Sequence, residues 1–246
     1  MSLDRHKQDW ERLAEVDALW AVLTAPGRKG GRWELDEFFA TGEAEVGRVM
    51  SIAESLGRPA CRARALDFGC GVGRLTRALG TRFDQAVGVD ISSEMVARAG
   101  RLNEAFPACE FRVSAADLAP LETASFDFVY SSIALQHVPT VGEIERYLTE
   151  FLRVARPDGL VVFGIPCEIS FPWSLQPRRR AYALLRRLGV SEQWMLRRTP
   201  LTPMRMTPVP ERRVRALLER EGATLLRAEP IDEGHVRALR YYVSPA

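Results

Sequence analysis

The chain has 246 residues, 46% hydrophobic and 27% charged, a balance that supplies a full globular core. No apolar run approaches the ~20 residues that span a bilayer, and the charged first dozen residues do not read as a signal peptide. The four cysteines, Cys61, Cys70, Cys109 and Cys167, form neither a C-x-x-C pair nor a zinc spacing, so a reduced, cytoplasmic chain with no metal site is expected. The net charge of +2 hides an asymmetry. From Gln176 to Arg215 eleven arginines stand against Glu192 and Glu211, which makes that segment +9 and the rest −7.

In chain order, Trp10, Leu13, Val16, Leu19, Trp20 and Leu23 repeat at three and four, which predicts a helix over 4–23 stopped by Pro26-Gly27. A basic glycine-rich loop follows, from Gly27 to Trp33. A second helix is expected from about 36 to 56, interrupted at Thr41-Gly42, where Thr41 is suited to cap a fresh start. Residues 1–60 thus read as an N-terminal helical cap.

From residue 63 strands and helices alternate. Strands are expected at 64–68, 86–90, 109–114, 126–132 and 159–165, and helices at 72–80 and 93–103. An amphipathic helix carrying Ile144, Tyr147, Leu148, Phe151 and Val154 should stop at Arg156-Pro157-Asp158-Gly159. Such alternation demands a mostly parallel sheet with helices on both faces. Residues 167–210 break the pattern and read as an inserted helical lid, because the stretch is too long for a simple connection. A helix at 211–221 and strands near 223–229 and 237–243 close the chain, so 61–246 forms one α/β domain carrying that insertion.

The stretch Asp67-x-Gly69-x-Gly71-x-Gly73 lies at the first strand-to-helix turn. Glycines there let backbone approach a ligand. The dinucleotide fingerprint G-x-G-x-x-G would need a third glycine where Arg74 stands. Asp90 ends the second strand about twenty residues on, placed to accept from the two hydroxyls of a ribose. These residues, with Phe111–Leu118 and Ser125–Pro139, resemble the motifs of class I S-adenosylmethionine (SAM) methyltransferases. The resemblance is close over roughly 60–166 and loose elsewhere. It implies a Rossmann-like seven-stranded sheet ending in an antiparallel pair, and a SAM site built from Asp67, Gly69, Cys70, Gly71, Gly73, Asp90, Ile91, Met95, Ala116, Asp117, Leu118 and Ser131. By the same resemblance Asp117 accepts from the adenine amino group, the Leu118 N–H faces the ring, and the end of the fourth strand faces the methyl group. The N-terminal cap would lie over the site, where Trp33, Phe38 or Phe39 either form an aromatic wall or pack the cap onto the sheet, and Arg28, Lys29 or Arg32 are candidates to pair with the methionine carboxylate.

His137 follows the fourth strand on this edge and is the candidate general base, its ordinary pKa being suited to chemistry near neutrality. His235, Tyr130 and Tyr182 are weaker candidates. Where amino-methylating DNA enzymes carry an N/D/S-P-P-Y/F motif, Tyr130-Ser131-Ser132-Ile133 stands. The E-x-x-E-H pattern that can hold a divalent metal corresponds to Ile133, Gln136 and His137, which argues against a metal. The expected partner is a small-molecule acceptor rather than nucleic acid, and the arginine-rich insert reads either as a solvated helix face or as a means of attracting an anionic acceptor. A SAM-binding protein without catalysis is the alternative.

Overall fold

The computed structural model describes residues 3–114, 117–231 and 234–246. Seven strands form one sheet: β1 Arg64–Phe68, β2 Gln85–Asp90, β3 Cys109–Val113, β4 Phe126–Ser131, β5 Ala155–Ile169, β6 Thr224–Pro230 and β7 Val236–Ser244. Their order is β3-β2-β1-β4-β5-β7-β6. The first five lie parallel, and β7 runs antiparallel to both β5 and β6. The chain steps outward from β1 to β3 and then returns to β4 on the other side of β1. Ligand crevices open at such a reversal, beyond the carboxyl ends of the strands.

The helices are α1 Leu3–Val22, α2 Leu35–Ser55, α3 Arg74–Gly80, α4 Ser93–Leu102, α5 Val141–Val154, α6 Pro177–Arg187, α7 Glu192–Arg198 and α8 Glu211–Arg220. Both sheet faces are covered, which is why the central strands read as unbroken apolar runs. Leu66, Val87, Val129 and Val161 pack against α5 and α8. Ala65, Ala86, Phe128, Tyr130 and Val162 pack against α2 and α3. A third apolar cluster joins α1 (Leu13, Ala14, Ala18) to the insert (Tyr182, Met195, Leu196) and reaches Val72 and Met95. The N-terminal helix therefore lies between the insert and the glycine turn.

Two expected boundaries are wrong for physical reasons. Helix α2 runs through Thr41-Gly42 without a break. A Cβ on Gly42 would sit 2.4 Å from the Arg74 carbonyl oxygen, so this glycine permits close packing of α2 on α3 and breaks nothing. The turn signal Arg156–Gly159 is absorbed as a bulge inside β5: Phe126 faces Ala155, whereas Phe128 faces Leu160. Asp127 holds the bulge, accepting from the Arg156 guanidinium at 2.5 Å and from the Arg64 N–H at 2.7 Å.

A buried ion pair ties α2 to the start of α3. Arg74 meets Glu45 at 2.8 Å, with side chains 3% and 12% exposed. Glu45 also accepts from the Tyr130 hydroxyl at 2.8 Å and from Ser132 Oγ at 2.5 Å. Burial pushes its pKa up, but Arg74 and these hydrogen bonds outweigh burial and hold it below the ordinary glutamate value. Its contribution is thus present above the ordinary glutamate range and is lost as pH falls through the lowered pKa. Glu45→Ala leaves a buried guanidinium without its counter-charge and is expected to destabilise the fold by about 3–5 kcal/mol. Urea unfolding measures this, and a loss below about 1 kcal/mol would contradict the role.

Candidate active site

The glycine turn is built by backbone geometry. Gly69, Gly71 and Gly73 have φ of +75°, +53° and +85°, a region that side chains with a Cβ resist. The N–H groups of Gly69 and Cys70 both donate to the Val89 carbonyl, at 2.8 and 3.0 Å, binding the turn to the end of β2. A Cβ on Gly69 would fall 2.2 Å from Ala134 Cβ, and one on Gly71 2.3 Å from Val22 Cγ2. The turn is thus pressed between the loop after β4 and the end of α1.

Asp90 closes this arrangement. Its Oδ2 accepts from the Gly71 N–H and its Oδ1 from the Ser92 N–H, each at 2.9 Å. Burial pushes its pKa up, and these backbone donors oppose the shift. Each oxygen keeps acceptor capacity for a further donor. Val89, Ile91, buried Met95 and Ser114 continue the wall beside it. The cleft encloses about 930 Å³ including its open mouth.

Of the residues singled out from the sequence, Gly69, Cys70, Gly71, Asp90, Ile91, Met95 and His137 line this one cleft. Others stand behind it. Asp67 is buried, accepts from Thr76 Oγ1 at 2.6 Å, leaves Oδ1 without a partner, and is pushed by burial to about 7. Gly73 caps α3, Ser131 Oγ donates to the Phe68 carbonyl at 3.3 Å, and Leu118 is core. Asp117 is exposed, accepts from the Ala119 N–H at 3.2 Å, and lines a neighbouring groove with Arg146 and Tyr147. Ala116 lies outside the described residues. Tyr130 and Tyr182 are core, and His235 stacks on Trp173 at 4.7 Å.

His137 sits in a short 3-10 turn, Leu135–His137, just past β4. Its Nδ1 lies 2.5 Å from the Arg205 carbonyl oxygen. A carbonyl only accepts, so Nδ1 carries the hydrogen and Nε2 keeps its lone pair. The Gln136 amide approaches Nε2 at 3.3 Å. Burial lowers the ring's pKa, and the bond to Arg205 opposes that shift. The ring is therefore neutral at pH 7, and Nε2, beside the Gln136 amide, is its basic nitrogen.

Among the cleft residues not read from the sequence as site residues, two are aromatic side chains of one helix. Trp10 meets His137 ring to ring at 5.2 Å and 62°. His6, one turn earlier, is 9% exposed, and burial, followed by the charges of His137 and Arg205, lowers its pKa to about 4. Both come from α1. The aromatic wall expected from Trp33, Phe38 and Phe39 lies elsewhere. Those rings pack on one another, at 5.6 and 5.4 Å, in the cluster behind Val72 and Met95. Arg28 pairs with Glu37, and Lys29 donates to the Thr199 carbonyl at 2.5 Å. The cleft's arginine is Arg74. Ile133, at the mouth, holds φ of +65°, a conformation that costs a β-branched residue about 1–3 kcal/mol.

Beyond its apolar packing, helix α1 is latched over the cleft by Glu11. Glu11 accepts from Ser92 Oγ at 2.7 Å, Ser93 N at 2.8 Å, Ser93 Oγ at 2.8 Å and Glu94 N at 3.0 Å, capping α4 from another element. Burial opposes the charge, but these donors win and lower the pKa of Glu11. Charge-assisted bonds contribute about 1.5–3 kcal/mol each when dry. Partial exposure discounts that to about 1.4 kcal/mol in all, a factor of ten. Glu11→Ala is therefore expected to raise amide hydrogen exchange in α1 about tenfold, with β1 and β4 unchanged. Unchanged protection in α1 would remove the latch.

Residues 66–163 match the family described as a methyltransferase domain. Trans-aconitate 2-methyltransferase of Deinococcus radiodurans is 37% identical over 108 residues, 43% of this chain and 39% of that protein. Malonyl-[acyl-carrier protein] O-methyltransferase of Salmonella typhimurium is 31% identical over 110 residues, 45% of this chain and 41% of that protein. The chain thus spans well under half the length of these relatives. Among solved structures, magnesium protoporphyrin IX methyltransferase (ChlM) from Synechocystis PCC 6803, with bound S-adenosylhomocysteine (SAH), shares the fold. It has a TM-score of 0.66 over 100% of both chains at 19% identity.

Proposed function

We propose that this chain, whose residues 66–163 match a methyltransferase domain, transfers a methyl group from SAM to an oxygen or nitrogen of a small anionic molecule. The observation that carries the reading is one cleft holding both the glycine turn with Asp90 and His137, whose basic nitrogen is Nε2. The residues fit SAM. Asp90 offers acceptors to ribose hydroxyls, Gly69 and Gly71 give a backbone cradle, and Ile91 and Met95 give an apolar side for adenine. When bound, SAM supplies a methyl on a sulfonium whose leaving group is neutral, so the protein's task is orientation and exclusion of water. Trp10 offers a ring to that cationic end.

In this reading His137 takes the proton of a phenol, alcohol or amine through Nε2, while the Arg205 carbonyl fixes the other nitrogen. Arg205 brings positive charge to this end, and its Nε is buried without a partner, which suits an anionic acceptor. In this reading α1 covers the cleft, 167–210 serve as a lid packed on α1, and the α/β domain holds the nucleoside. No step requires a metal ion. The relatives named above act, by name, on trans-aconitate and on a malonyl group carried by a protein.

The test is transfer of labelled methyl from SAM to a panel of hydroxy- and amino-acids, alongside their methyl esters. Turnover of the acids that persists in EDTA and exceeds that of the esters by about tenfold supports the reading. SAH binding with no transfer to any member would favour the non-catalytic alternative.

A further inference from the structure

Nine large apolar side chains are exposed among the described residues, and six of them fall between 171 and 194. These are Phe171 (79% exposed), Trp173, Leu175, Leu184 (58%), Leu188 (71%) and Trp194 (53%). Helix periodicity explains why α6 shows two faces. Tyr182 and Leu185 turn inward onto the cluster shared with α1, so Arg180, Leu184, Arg187 and Leu188 turn outward. The outward face is thus leucines framed by arginines. Arg178, Arg197 and Arg198 are exposed as well. The only acid between 176 and 210 is Glu192, which already accepts from the Tyr182 hydroxyl at 2.7 Å and meets Arg186 at 3.8 Å. Glu168, the insert's other acid, pairs with Arg237 at 2.8 Å, so the cationic frame has no acid of the insert left to neutralise it.

We propose that this insert is a docking surface for an anionic lipid bilayer. Charge complementarity chooses the occupant: guanidinium groups pair with lipid phosphates, while leucine, tryptophan and phenylalanine enter the interfacial layer beneath them. No helix of the described residues is long and apolar enough to cross a membrane, so the attachment is peripheral. Single-stranded RNA would need free aromatic faces for stacking. Trp173 is already stacked on His235 at 4.7 Å with the Arg178 guanidinium 5.8 Å from its ring centre, which leaves Phe171 and Trp194 as the exposed rings, and exposed leucines offer a nucleic acid nothing. The inference does not rest on methyl transfer.

The test is co-sedimentation of the full chain with vesicles of phosphatidylglycerol and phosphatidylcholine in equal parts, and with pure phosphatidylcholine, at moderate salt. Binding to the anionic vesicles only, with a blue shift of tryptophan emission, is expected. Leu184→Ser combined with Leu188→Ser should weaken binding at least tenfold, and Phe171→Ser severalfold, with thermal unfolding unchanged because all three side chains are exposed. Failure to sediment with anionic vesicles overturns the proposal. So does equal binding by the double variant, which would mean adsorption by charge alone, or tighter binding to bulk tRNA than to the vesicles.

Discussion

Asp90→Ala is expected to weaken SAH binding by about two to three orders of magnitude. The carboxylate does two things in the folded chain. It holds the Gly71 N–H, which fixes the glycine turn, and the Ser92 N–H, which fixes the start of α4. It also presents the remaining acceptor capacity of both oxygens to the cleft. A hydrogen bond to a charged group is worth about 1.5–3 kcal/mol, so losing two contacts to a ribose gives a loss of at least hundredfold. Asp90→Asn keeps one oxygen and should lose about tenfold. Calorimetry with SAH reads both variants. Affinity for the alanine variant within threefold of the parent would mean that Asp90 only braces the loop.

His137→Ala is expected to lower kcat about hundredfold for an acceptor whose proton must leave, at the lower end of what a positioned general base contributes. The pH dependence separates this role from a structural one. Burial lowers the pKa of His137, so the base is already deprotonated at neutral pH and the acid limb of kcat should lie below the ordinary histidine value of 6.5. The variant should lose that limb. A change confined to KM, or an unaltered pH profile, would make His137 a turn-former. The same burial acts on stability. His6, lowered to about 4, and His137 both stay neutral in the fold where the unfolded chain is protonated. Their contribution is present above about pH 6.5 and is lost as pH falls toward 4.

The sheet was legible because a two-sided parallel sheet needs apolar strands separated by helices, and this chain writes that pattern plainly from 64 to 165. The glycine turn and Asp90 were legible because spacing along the chain is also spacing in space at a strand-to-helix turn. What failed to show had long-range causes. Trp10 and His6 share the 3–4 spacing of the core residues of α1, and periodicity cannot say which neighbour a helix face meets. Gly42 reads as a helix breaker until Arg74 is seen against it. Glu11 is an ordinary surface glutamate in sequence, and only the packing of α1 on α4 makes it a cap, 81 residues before Ser92. Ile133 carries no signal at all, since its strained backbone is imposed by the loop after β4.

A crystal structure of the chain with SAH tests the central claim most directly. The account predicts both ribose hydroxyls within hydrogen-bond distance of Asp90, the amino-acid tail over Gly69 to Gly71, and the sulfur facing the side of the cleft formed by Trp10 and His137. Density for the nucleoside elsewhere, with Asp90 still engaged only by Gly71 and Ser92, would contradict it.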